Sequence, residues 1–115
     1  MSRLESIDNT NWEEFTQADT AVLMLGKTDC AACNAWTEEL SAFLGEDAEW
    51  SDVRFGKLLL DRPGLLGFKK ANPWVAEVSD LPFHVIFVKG ERAKSYIGGG
   101  TERLVNRLRR LRDEG

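Results

Sequence analysis

Thr20-Ala21-Val22-Leu23-Met24-Leu25-Gly26-Lys27-Thr28-Asp29-Cys30-Ala31-Ala32-Cys33 is the stretch on which the fold turns. Thr20 to Leu25 is an apolar run of strand length without alternation, the pattern of a central strand covered on both faces. Lys27-Thr28-Asp29 breaks the run, and the cysteine pair follows at once. From Cys33 onward the apolar residues fall at Cys33, Trp36, Leu40, Phe43 and Leu44, a helical stripe, with Gly45 as its stop. The two cysteines therefore stand where a buried strand hands over to a helix N-terminus.

Cys30 and Cys33 are the two cysteines of the chain, and their spacing suits either a metal site or a redox pair. A closed zinc site needs four ligands, and the chain adds one histidine, His84, and no further thiol. A metal or iron–sulfur site shared across a dimer, two thiolates from each chain, and an inert buried pair both stay open on the spacing alone. A structural disulfide is disfavoured, because so short a loop constrains the unfolded chain little. The strand before the pair and the helix starting at it favour redox chemistry.

Working outward, Thr10-Asn11-Trp12-Glu13 fits a capping box and predicts a short helix from Asn11 to Gln17, with Trp12 and Phe15 as its apolar contacts. Val53 to Asp61 reads as a second strand, ended by Arg62-Pro63-Gly64. Leu65 to Ala71 is a short helix cut by Asn72-Pro73, and Trp74 to Val78 fits a helical turn or a loop. Phe83 to Val88 and Arg92 to Ile97 are strands joined by a Lys89-Gly90-Glu91 hairpin. Gly98-Gly99-Gly100 precedes a last helix with Thr101 as N-cap and Leu104, Val105, Leu108 and Leu111 on its buried face. Helix crossovers join parallel strands and the hairpin makes an antiparallel pair. The expected class is α/β, one domain over residues 1–115, with a central mixed sheet of four to five strands and helices on both faces.

The chain carries 15 basic and 19 acidic residues, a net charge of −4, which argues against a nucleic-acid partner. Arg103, Arg107, Arg109, Arg110 and Arg112 on the last helix read as a solvated face near a helix C-terminus. No apolar run is long enough to span a bilayer, and Met1 to Asp8 lacks the apolar centre of a signal peptide. A cytoplasmic protein with no membrane partner is the expectation.

These marks together resemble the thioredoxin family. The strand-to-helix C-x-x-C, a later proline ahead of a strand, the Lys89-Gly90-Glu91 hairpin and a terminal helix after glycines carry the likeness. It runs without gaps from Ala21 through Leu44, again over Lys57-Leu58-Leu59-Leu60-Asp61-Arg62-Pro63-Gly64, and again from Leu81 through Leu111. The departures are specific. The family's W-C-G-P-C is here Asp29-Cys30-Ala31-Ala32-Cys33, and its buried aspartate, six positions before the first cysteine, falls on Met24. The segment between Asp61 and Pro82 is also longer than in a minimal thioredoxin.

The resemblance implies a thiol–disulfide oxidoreductase that needs no bound cofactor. Its partners would be disulfide-containing proteins, with a thioredoxin-reductase-like enzyme or a small thiol as electron donor. A non-catalytic module that binds a protein partner is the alternative, supported by the missing tryptophan and proline. Cys30 ahead of the helix faces unpaired N–H groups and the positive end of the dipole, so it is the expected nucleophile. The more covered Cys33 is the expected resolver. Asp29 opposes thiolate formation at Cys30, and Lys27 offsets it. Ala31, Ala32, Leu81, Pro82 and Gly98 are the expected substrate contacts, with Leu81–Pro82 cis as in the family and Gly98 allowing close approach. Lys57 keeps the family's lysine beneath the cysteines. His84 stands where the family has an apolar residue, and two readings apply to it: a base for Cys33 in place of the lost carboxylate, or a core histidine bonded to backbone.

Overall fold

The structure, a computed structural model, describes residues 3–114. Five strands form one sheet in the order β1-β3-β2-β4-β5: β1 Leu4–Ser6, β2 Ala21–Gly26, β3 Arg54–Leu59, β4 Phe83–Val88 and β5 Glu91–Ile97. β3 lies parallel to both β1 and β2, whereas β4 runs antiparallel to β2 and to β5. The mixed sheet matches the expected class, and β1 is an addition: three residues are too few to show a period. β2 is buried along its whole length, as its unbroken apolar run requires.

Helices α1 Trp12–Thr16 and α3 Leu66–Ala71 cover one face, and α2 Ala31–Glu46 and α4 Thr101–Glu114 cover the other. The alternation of β2 divides the core. Ala21, Leu23 and Leu25 join Phe15 and Phe68 on the α1/α3 face, while Val22 and Met24 join Trp36, Leu40 and Leu104 on the α2/α4 face. Gly56 in β3 is required by this packing, since a Cβ there would lie 2.5 Å from Ile7 Cγ1 and 2.8 Å from Phe15 Cζ. The ambiguous segment Trp74 to Val78 falls on a 3₁₀ turn, Pro73–Glu77, with Val78 just past its end.

Three helix-end expectations are corrected, the first being the stop at Gly45: α2 runs through it to Glu46, with Asp47 as C-cap. The capping box at Thr10 does not form: α1 begins at Trp12, and Asn11 makes no side-chain cap. Asp8 instead accepts from the N–H and hydroxyl of Thr10, and Asn11 Oδ1 accepts from Asp8 N at 2.7 Å, so a turn before the helix takes those polar groups. Thr101 lies in the first turn of α4, and its N–H and hydroxyl both donate to Glu39 Oε2 at 2.9 Å. A carboxylate from α2 thus serves the α4 N-terminus. The α4 arginines form the solvated face expected, with Arg103, Arg109, Arg110 and Arg112 exposed; within it Arg112 pairs with Asp52 and lies over Trp50, Arg109 pairs with Glu49, and the half-buried Arg107 lies over Tyr96.

Candidate active site

Cys30 is the N-cap of α2, in extended backbone, and its sulfur accepts from the N–H of Cys33 at 3.2 Å. The two sulfurs are joined as a disulfide. Cys30 is half-buried, whereas Cys33 is fully buried and lies against Gly26, where an added Cβ would come within 3.4 Å of its Cβ and Sγ. The first turn of α2 holds no acidic residue, so nothing within the helix opposes the positive end of its dipole. Ala31 and Ala32 are exposed there and present no bulk around the disulfide.

The loop into the pair is pinned from β3. Asp61 accepts from Thr28 N at 3.1 Å and Thr28 Oγ1 at 3.2 Å, tying the approach to Cys30 to the end of the neighbouring strand. Lys27 and Asp29 are exposed.

The peptide bond Leu81–Pro82 is cis. Pro82 is buried and Leu81 half-buried, and Gly98 N donates to Pro82 O at 2.9 Å, closing the glycine turn onto the proline loop. Gly98 has φ +92°, a conformation that favours glycine. Its amide is spent on Pro82, and a Cβ there would lie 2.8 Å from Arg103 Nη1. Among the described residues, neither the N–H nor the C=O of Leu81 is in a backbone–backbone hydrogen bond.

Lys57, Met24 and His84 stand in one row across the sheet, with Met24 in register with both others. Lys57 and His84 are therefore two strand spacings apart, ~10 Å between backbones, with Met24 between them. Lys57 is half-buried and lines a cleft of about 230 Å³ with Glu5, Ser6 and Arg62 at the β1 edge.

His84 is fully buried, and its Nε2 accepts from the indole N–H of Trp36 at 2.7 Å. Its ring stacks on Tyr96 with centroids 4.5 Å apart and 7° between planes. Burial, with the charges of Arg103 and Arg107 adding to it, pushes its pKa down to about 4, so the ring is neutral at pH 7. Accepting at Nε2 fixes the Nδ1–H tautomer and engages the lone pair that a base would use. The structure thus gives the imidazole a different partner from Cys33, and a side chain rather than the backbone expected of a core histidine. Sequence reasoning missed Trp36 and Tyr96. The signal was two aromatic residues with polar atoms at buried positions, each needing a partner. Among the described residues, no group of three or more His, Cys, Asp or Glu is gathered as metal ligands.

No family model and no curated protein matches the sequence. Solved structures do. A thioredoxin of Malassezia sympodialis superposes with a TM-score of 0.74 over 96% of this chain and 91% of that one, at 16% identity. The fold is that of thioredoxin. Chlamydomonas reinhardtii thioredoxin f2 gives a TM-score of 0.74 at 16% identity, over 94% of this chain and 95% of that one. Oxidized mitochondrial thioredoxin 3 of Saccharomyces cerevisiae gives 0.72 at 21%, over 92% and 93%. The chain thus combines a thioredoxin fold with a disulfide across a C-x-x-C at the start of α2. No helix among the described residues is long and apolar enough to cross a membrane.

Proposed function

We propose that the chain is a thiol–disulfide oxidoreductase that reduces disulfides of protein substrates, in a reducing compartment such as the cytosol. The observation that carries this reading is the asymmetry of the pair: Cys30 half-buried at the helix N-cap with an N–H aimed at its sulfur, Cys33 fully buried behind it. A free thiol of pKa near 8.5 is only a few per cent thiolate at pH 7, and the helix terminus and the Cys33 N–H both favour the anion at Cys30.

In the reduced chain the Cys30 thiolate attacks one sulfur of a substrate disulfide. A Cys30–substrate bond forms, the substrate S–S bond breaks, and one substrate thiolate leaves and takes up a proton. Cys33, having given up its proton, attacks Cys30 Sγ and forms the intramolecular disulfide, releasing the second substrate thiol. Two electrons pass from the dithiol to the substrate. A reductase or a small thiol then returns two electrons to the Cys30–Cys33 disulfide. An extended substrate segment would pair with the unengaged backbone of Leu81, in the manner of an added strand, over Ala31, Ala32, Pro82 and Gly98. Lys57 is assigned the part of a buried-face cation on the Cys33 side of the sheet. His84 is assigned a positioning part rather than that of the base.

The test is reduction of insulin disulfides followed by turbidity, with dithiothreitol as donor. The parent should accelerate precipitation, Cys30→Ser should abolish the acceleration, and Cys33→Ser should accumulate a mixed disulfide. A parent no faster than dithiothreitol alone would instead favour the non-catalytic binding module.

A further inference from the structure

Three separate segments would flank a substrate segment beside Cys30 and form the walls of its docking groove: the start of α2, the Leu81–Pro82 loop that feeds β4, and the Gly98–Gly100 turn that feeds α4. One buried cluster touches all three. Trp36 stands one turn below Cys33 on α2, and its indole donates to His84, the second residue of β4 and two positions past Pro82. The same indole lies so close to the glycine turn that a Cβ on Gly99 would sit 2.7 Å from Trp36 Cγ and 2.9 Å from its Cβ. His84 stacks on Tyr96, two residues before Gly98, and the Arg107 guanidinium of α4 lies over that phenol, 4.6 Å from its centroid. Arg103 of α4 adds a bond to Ile97 O at 2.7 Å.

This cluster is poorly suited to stability alone. Among the described residues, His84 Nδ1 and the Tyr96 hydroxyl are buried with no hydrogen-bond partner, and such groups cost folding free energy. A leucine and a phenylalanine would fill the same space without that cost. What the polar atoms add is direction. A hydrogen bond from indole to imidazole fixes the ring plane of Trp36, and the Gly99 backbone rests against that plane.

We propose that Trp36, His84 and Tyr96 form a positioning unit that sets the spacing of the three groove walls, and so governs how well an extended protein segment docks beside Cys30. This rests on the reading of the groove as a substrate site. Misplacing a bound reactant by about 1 Å can cost ~10²-fold, so a slack groove should be costly for a protein substrate.

The test compares the parent with His84→Leu, His84→Gln, His84→Asn and Trp36→Phe, with Leu58→Ala on the opposite face as a control for lost stability. Glutamine places its carbonyl oxygen where Nε2 stood and asparagine does not, so only glutamine keeps the bond to Trp36. Two readouts are taken. Amide hydrogen exchange should quicken at Asn34, whose N–H donates to Cys30 O, at Gly98, whose N–H donates to Pro82 O, and at Leu104, whose N–H donates to Gly100 O, in His84→Leu, His84→Asn and Trp36→Phe, and stay slow in His84→Gln. KM for insulin should rise about tenfold or more in the same three variants. His84→Gln should recover to near the parent, and Leu58→Ala should raise unfolding without raising KM. Exchange or KM in His84→Gln as disturbed as in His84→Leu, or a KM rise shared by Leu58→Ala, would overturn the proposal. A parent inactive on insulin would refute the proposed function instead, and the exchange pattern would still decide whether the cluster ties the walls.

Discussion

The two faces of the sheet are built on different rules. The α1/α3 face is an apolar core in which Phe15, Leu23, Leu25, Leu58, Phe68 and Val85 are each fully buried, and its buried polar side chains, Thr16 and Asn72, bond only to local backbone or to a near neighbour. The α2/α4 face, which holds the cysteine pair, buries an imidazole, an indole N–H and a phenol. Apolar contacts are non-directional and tolerate small shifts, whereas a hydrogen bond between two rings holds one geometry. Both faces therefore supply apolar core, and the second adds a polar ring cluster of fixed geometry at some expense in stability.

The largest break in this contrast is Phe15→Ala. Phe15 is fully buried and fills the space that Gly56 leaves open, so its loss should cost about 3–5 kcal/mol. Urea unfolding measures the loss, and disulfide reduction per folded molecule should be unchanged. A drop in activity beyond the folded fraction would dissolve the division between faces.

A pH series sharpens the contrast next. The folded pKa of His84, about 4, lies below the ordinary 6.5, so as pH falls the unfolded chain takes up the proton first. Stability from this group is complete above pH 6.5 and is lost as pH falls from 6.5 toward 4, on the order of 3 kcal/mol in all. His84→Gln, which does not titrate, should lack this slope in urea unfolding at pH 7, 6 and 5. Asp8, held low chiefly by its hydrogen bonds from Thr10, and Glu14, held low chiefly by Arg54, act only below the ordinary carboxylate range and leave this window to His84. Parallel slopes for parent and variant would mean that the imidazole is protonated as readily in the fold as outside it.

The smallest effect expected is that of Tyr96→Phe. Removing a buried hydroxyl with no partner should leave stability unchanged or raise it by about 1 kcal/mol. A clear loss would show that the phenol oxygen is engaged.

Much of this was legible from residue order. The unbroken run of β2, the stripe from Cys33 to Leu44 and the hairpin at Gly90 depend on local pattern, and each lies within a residue or two of its expected place. β1 and the caps at Thr10 and Thr101 were not legible. A three-residue strand has no period, Asp8 draws Thr10 into a turn ahead of α1 in place of a cap, and the α4 N-terminus is served by Glu39 from another helix. The cysteine pair was legible because its chemistry is local. The bond from Trp36 to His84 was not, because the partners stand 48 residues apart and a tryptophan in a helical stripe reads as apolar core.

The central claim is that Cys30, not Cys33, is the activated thiol of a redox pair. The direct measurement is alkylation of the reduced native chain by limiting iodoacetamide at pH 7, with the two cysteines told apart by fragmentation mass spectrometry. Lowering a thiol pKa by one unit raises its thiolate fraction about tenfold at that pH, and burial slows the other thiol further. Cys30 should therefore react at least ~10-fold faster than Cys33. Equal rates, or a faster Cys33, would contradict the account.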